Sequence, residues 1–309
     1  AGAFCGRVAV LILLFTMAWL YGADKISFVT ADLGRHIRNG ELFVTTGRVI
    51  TTNFYSFTHS DYPTICHHWG TGVIFYLLTL WGGFGALAVF YTVILVLTLG
   101  VSMLAVRRTA GFWPVVLMAV LALPLFGYRQ EIRPEGFTTL FLAIEFFILS
   151  EWRARRLSGE WLWLIPLIQL TWINVHILFI MGFILGAIFI VDALINDEDR
   201  RRPLALGFIG AASALASLLN PSGWQGLVEP LNIFKEYGYQ LAENQNVLFM
   251  IKRFPGQPIY GYFLWLGVFV VILFGLRFYK ERQWRAMLVD VLVFGFFALM
   301  AFKAVIVRL

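Results

Sequence analysis

ALAVFYTVILVLTLGVSMLAV, residues 86–106, holds no charged side chain and ends at the pair Arg107-Arg108. A helix of this length rises far enough to cross a hydrocarbon core about 30 Å thick. Lipid offers no partner for backbone N–H and C=O groups, so such a run is a helix and not an open strand. Comparable runs recur near 7–22, 112–127, 134–150, 161–175, 177–195, 203–219, 258–278 and 286–305. Hydrophobic residues make up 60% of the chain and charged ones 14%. A soluble domain carries roughly a quarter charged residues. Short segments of alternating polarity, the mark of an outer-membrane barrel, are missing. The expected fold is therefore an all-α integral membrane protein, residues 1–309 forming a single polytopic domain with about nine transmembrane helices.

The segment Trp69–Trp81 is apolar but short, and Gly82-Gly83-Phe84-Gly85 interrupts it. Basic residues decide whether it crosses. If it does not, Arg7 falls on one side with Arg107-Arg108, Arg153/Arg155/Arg156, Arg200-Arg201-Arg202 and Lys280/Arg282/Arg285. If it does, Arg7 is separated from all of them. The simpler solution lays 69–81 along the outer surface and places the N-terminus inside. A long loop, 24–81, then lies outside and carries interfacial helices. Also outside are the Tyr128–Glu135 connection, the turn Asn174–His176 and the loop 220–257. The unusual side chains gather in these outer segments, so the working face is expected to be extracytoplasmic.

A net charge of +6 invites a nucleic-acid reading, but the basic residues are scattered through short loops and read as topology signals. Cys5 and Cys66 fall on opposite sides of the membrane, cannot pair, and have no metal-ligand spacing. The chain begins at Ala1 without Met and reads as processed or as a fragment. Residues 8–20 resemble a signal core without a convincing cleavage site, and are kept as the first span.

Residues 30–41, TADLGRHIRNGE, are the first candidate site. Read as a helix, Val29, Leu33 and Ile37 form one face of an interfacial amphipathic segment, and Asp32, His36 and Asn39 another. A carboxylate one turn from an imidazole suits a general base, while the plainer reading is a capped helix with solvated charges. Gly40 reads as the helix stop. Cys66-His67-His68-Trp69 is the second candidate. Adjacent His do not share a helical face, so a wet pair beside an anchoring Trp competes with any functional role, and His59 and Asp61 lie nearby. In Tyr128–Glu135, Arg129 and Arg133 either pair with Glu131 and Glu135 or offer a fork to phosphate. Pro134 suits the first turn of the next helix. Asn174 and His176 sit between two apolar runs, need partners or a watery cavity, and are candidate substrate-binding residues. Asn220-Pro221-Ser222-Gly223 is a turn. Glu145, Asp192 and Asp290 fall within or at the ends of spans, and Glu145 is expected to face a partner. Lys303 is placed to snorkel or to meet a lipid phosphate.

Taken together, these stretches resemble a family. Asp32, His36, Gly40 and Glu41 follow the first span, and Gly47-Arg48-Val49-Ile50 and Phe54-Tyr55-Ser56-Phe57-Thr58 come next. His68-Trp69, Arg133-Pro134-Glu135, Trp172-Ile173-Asn174-Val175-His176 and Asn220-Pro221 complete the order. The pattern, over about 8–309, is similar to bacterial membrane proteins of the GT-C glycosyltransferase superfamily, such as protein mannosyltransferases, aminoarabinose transferases and lipopolysaccharide sugar transferases. The resemblance implies an inner-membrane enzyme that moves a sugar from a polyprenyl-phosphate donor to an acceptor on the outer face. It makes Asp32 the base, with His36, His67 or His68 in support, and Arg129, Arg133 and Lys303 as phosphate contacts. Two departures stand out. Relatives commonly carry an acid just before the Trp where this chain has His68, and they continue past a ninth span.

The rival expectation is a non-catalytic GT-C-derived subunit of a larger membrane assembly, for which 30 Phe and 11 Trp offer packing surface. A transporter would need corresponding interrupted helices in two halves, and no repeat is seen. No ligand set marks a metal, although a divalent ion is left open. Haem or pigment ligation rests on His176 alone and is weak. Expected partners are the polyprenyl-phosphate sugar, membrane lipids and, on the rival reading, other membrane subunits; nucleic acid is not among them.

Overall fold

The structure, a computed structural model, describes residues 2–22, 32–128, 131–232 and 245–303. It is all-α. Among the described residues there is no strand, only an isolated antiparallel bridge between Thr52 and Pro63. The helices are α1 (Gly2–Gly22), α2 (Leu33–Thr46), α3 (Trp69–Ala110), α4 (Phe112–Tyr128), α5 (Glu135–Arg153), α6 (Leu164–Val175), α7 (Ile180–Asn196), α8 (Arg201–Ser217), α9 (Gly223–Val228), α10 (Val247–Arg253), α11 (Ile259–Glu281) and α12 (Leu288–Lys303). Among the described residues, five helical segments are long and apolar enough to cross a membrane: Phe4–Gly22, Trp69–Ala110, Ile177–Asn196, Ile259–Glu281 and Trp284–Phe302. α4 is apolar but shorter. Large side chains such as Ile12, Leu13 and Leu20 on α1, or Trp265, Val271 and Leu276 on α11, point outward. In water they would form a large unfavourable patch, whereas lipid tails accept them.

The chain divides into two compact units, Ala1–Phe183 with Ile209–Leu231, and Ile184–Phe208 with Asn232–Leu309. In the first, Leu14 and Ala18 of α1 pack with Leu99 of α3 and Ala119 and Leu123 of α4. α3 bends at Gly82 and Gly83, where φ/ψ leave the helical region and Gly83 takes φ 64°. The glycine run that interrupts the apolar sequence is thus a kink between two helical arms. Pro134 is the N-cap residue of α5, immediately before the position expected for it. Glu145 is fully buried in α5, where Oε1 accepts from Gln169 Nε2 at 3.3 Å and Oε2 has no hydrogen-bond partner.

Basic groups of the first unit converge at one end of α3 and α5. The Arg7 guanidinium lies 5.3 Å over the Phe112 ring. The Glu151 carboxylate accepts from Arg108 Nη1 at 3.0 Å and from Arg156 Nε at 2.8 Å. In the second unit, Val247, Met250 and Tyr260 form a small core between α10 and α11. Arg277 pairs with Asp290 at 3.1 Å, and the buried Asp192 accepts from Asn196 Nδ2 at 2.7 Å.

Candidate functional site: an imidazole seam beneath an amphipathic helix

α2 lies against the first arm of α3 at a distance only glycine allows. A Cβ on Gly40 would stand 1.9 Å from the carbonyl oxygen of Gly72, and one on Gly72 would stand 2.6 Å from that of His36. Gly40 is therefore a crossing point inside α2 and not the expected helix stop. The helix continues to Thr46, and Gly47 ends it with φ 69° and an N–H donated to the Phe43 carbonyl.

The start of α3 is fastened equally tightly to the end of α6. Trp69 Nε1 donates to Asn174 Oδ1 at 2.8 Å, and the Thr71 hydroxyl donates to the Val175 carbonyl at 2.6 Å. A Cβ on Gly70 would stand 2.7 Å from the Asn174 carbonyl oxygen. Asn174 Nδ2 in turn donates to the carbonyls of Leu170 and Leu219. Asn174 is thus a structural tie, holding three segments of the unit together.

These two junctions bring three distant histidines into line. The His36 and His68 rings are 5.3 Å apart, and the His68 and His176 rings are also 5.3 Å apart. His36 and His176 are buried, and His68 between them keeps partial exposure. His176 Nδ1 shares a 2.6 Å hydrogen bond with the Thr138 hydroxyl, whose oxygen also accepts from Trp172 Nε1 at 3.0 Å. Burial, assisted by the Arg35 guanidinium and opposed by the Glu135 and Asp32 carboxylates, lowers His36 to about 4 from its ordinary 6.5. Burial and the neighbouring imidazoles hold His68 well below its ordinary value. His67, buried nearby, is lowered by the same desolvation against a backbone hydrogen bond at Ile173. His36 Nδ1 and His67 Nε2 are buried without a hydrogen-bond partner. Neutral imidazoles at His36 and His68 can take or hold a proton, and charging either is opposed by its neighbours.

Asp32 stands at the edge of this seam and turns away from it. It occupies the N-cap position of α2 in the left-handed region, φ 52°, without capping the helix through its side chain. Its carboxylate bonds Arg35 at 2.8 Å and is two-thirds exposed. The expected common face of Asp32, His36 and Asn39 is not formed, because the left-handed residue swings the carboxylate off the helical repeat. Asn39 instead accepts from the Tyr55 hydroxyl and donates to Cys66 Sγ at 3.8 Å. Cys66 and Cys5 are both free thiols. Burial pushes the Cys66 thiol up, which makes it a poor nucleophile.

Arg133 bonds Glu131 through Nε at 2.7 Å. Arg129, the Val29 edge of the expected amphipathic face and the Lys303 side chain lie outside the described residues. His59 and Asp61 are exposed in the loop preceding α3, where the His59 N–H donates to the Ser56 hydroxyl. Asn220 closes the expected turn, its side chain accepting from the Ser222 N–H and donating to the Ser217 and Gly223 carbonyls.

Sequence reading missed Gly70, Thr71, Gly72 and Thr138. The run Gly70-Thr71-Gly72 at a helix start carried the available signal, since small residues permit close helix approach in membranes. Among the described residues no group of three or more His, Cys, Asp or Glu side chains is arranged to hold a metal ion. Comparison of the chain with family models, with curated proteins and with solved structures finds no match for it.

Proposed function

We propose that the protein is a GT-C-like glycosyltransferase of a bacterial inner membrane, moving a sugar from a polyprenyl phosphate to an acceptor at the extracytoplasmic face. In this reading the chain crosses about nine times with its N-terminus in the cytoplasm. The meeting of Arg7, Phe112, Arg108, Glu151 and Arg156 at one end of the first unit supports a single basic, cytoplasmic side. α2, with the seam beneath it, then occupies the outer side.

The observation that carries the reading is the placement of Asp32. An exposed carboxylate stands beside a guanidinium, in a left-handed conformation, at the start of a helix pinned against α3. Exposed ion pairs contribute only about 0.2–1 kcal/mol, so Arg35 leaves the carboxylate available to a substrate. Backbone strain of this kind persists where the surroundings impose it and often accompanies function. In the proposed step Asp32 takes the proton of an acceptor hydroxyl. The hydroxyl oxygen bonds to the anomeric carbon, the bond from that carbon to the phosphate oxygen breaks, and polyprenyl phosphate leaves. Arg35 or Arg133, with Arg129 and Lys303 as further candidates, neutralises the phosphate charge. His36, His68 and His176 act from below, as a packed support for α2.

One observation favours a second reading, a non-catalytic subunit with the same ancestry. Position 68, where the resembling family commonly carries an acid, holds an imidazole packed between two others. Transfer in proteoliposomes supplied with mixed polyprenyl-phosphate sugars separates the two. Turnover by the wild type that is lost in Asp32→Asn supports the enzyme, and no turnover in a preparation that binds no lipid-linked sugar supports the subunit.

A further inference from the structure

Residues 51–64, between α2 and α3, form a closed and ordered loop. Asn53 N–H donates to the Tyr62 carbonyl at 2.8 Å and Thr64 N–H to that of Thr51 at 2.9 Å, flanking the Thr52–Pro63 bridge. Inside this neck, Ser56 N–H bonds the Asn53 carbonyl and the Ser56 hydroxyl accepts from the His59 N–H. A loop fixed in this way would be expected to fold its large side chains inward. Instead Phe54, Tyr55, Phe57 and Tyr62 all face outward, Phe57 at 101% of its reference exposure.

We propose that this loop is an aromatic finger seated in the surface of a phospholipid bilayer, with Phe57 at its tip among the upper acyl chains. Three observations select lipid as the occupant. The finger is tied to the membrane end of the molecule: Tyr55 bonds Asn39 on α2, and only a few residues separate Tyr62 from Trp69, where a membrane-length apolar helix begins. The same level holds the end of α6, through Trp69 and Asn174, and the following segment Ile177–Asn196 is again long and apolar enough to cross. The composition also fits the interface, since two phenols, Tyr55 and Tyr62, accompany two plain rings, Phe54 and Phe57. The inference rests on the membrane reading alone and is independent of sugar transfer.

Site-directed quenching in liposomes of zwitterionic and anionic phospholipid tests it. In a Cys5→Ser, Cys66→Ser background, Phe57→Cys and, separately, Tyr62→Cys carry a fluorescent maleimide. Val271→Cys on the lipid-length helix α11 serves as the control that the chain is embedded. With a nitroxide high on the acyl chain, the label at 57 is expected to lose about half its emission or more while aqueous iodide leaves it little changed, as for a group ~5–10 Å into the interface. The label at 62 is expected to respond to both quenchers. Iodide access at 57 without nitroxide quenching would overturn the proposal in favour of water. Shielding from both quenchers would overturn it in favour of a protein cover. Either result, with Val271 still quenched by lipid, leaves the membrane reading standing.

Discussion

The two ends of the α3–α5 pair are built from opposite chemistry. At one end, Glu151 is clamped by Arg108 and Arg156, each charge meeting its opposite. At the other, near Glu135 and Trp69, three imidazoles lie side by side, held by glycine contacts, hydroxyls and amides. Charge pairing fixes geometry and depends little on protonation near neutral pH. Imidazoles such as His36 and His68, lowered by desolvation, fix geometry only while they stay neutral. The difference assigns scaffolding to the Arg end and sensitivity, with an exposed carboxylate above it, to the His end.

The strongest way to break this comparison is at the glycine crossing. Gly40→Ala places a methyl group 1.9 Å from the Gly72 carbonyl and should cost about 3 kcal/mol, lowering the unfolding midpoint in detergent. Gly34→Ala, in the same helix, meets nothing within 4 Å and should be neutral or stabilising by up to about 1 kcal/mol. Equal effects would remove the crossing from the account.

Acid should attack the two ends unequally. His36 binds its proton near 4 in the folded chain and near 6.5 unfolded, so the unfolded state takes up protons first as pH falls. The stability of neutral His36 is fully present above 6.5 and is lost as pH falls through that window to about 4. The displacement corresponds to about 3 kcal/mol across the window. His36→Gln should flatten the dependence of the unfolding midpoint on pH, and an unaltered slope would place the acid sensitivity elsewhere.

Glu151→Ala strands two guanidinium groups that still reach water, one half exposed and one nearly a third exposed. About 2 kcal/mol should be lost, less than for a fully buried pair, with the slope against pH unchanged above about 5.5 and reduced below it, where the wild-type carboxylate, held under its ordinary 4.5 by Arg156, starts to lose its advantage. Asp32→Asn is the mildest change. Asn also tolerates the left-handed conformation, and the lost ion pair is exposed, so stability should shift by no more than about 0.5 kcal/mol in a thermal scan.

Much of the helical layout was legible because it depends on local composition. The apolar runs near 112–127, 134–150 and 258–278 correspond to α4, α5 and α11, and the glycines at 82–83 do interrupt the run that holds them. Glycine at 40 was misread because a helix stop and a helix crossing look alike in one sequence. The deciding atom, the Gly72 carbonyl oxygen, is far along the chain. The histidines were each visible as polar residues among apolar ones, but their alignment depends on Gly40, Gly70 and Gly72 closing the gaps. Asp32 was recognised as a candidate while its direction was not, since a residue at φ 52° leaves the repeat from which faces are counted.

The measurement closest to the central claim is sugar transfer by reconstituted wild type and Asp32→Asn, compared at equal unfolding midpoint. The account predicts a fall of about 100-fold or more in turnover with the fold intact, the scale on which a positioned general base contributes. Equal turnover by the two proteins would contradict it and remove Asp32 from the chemistry.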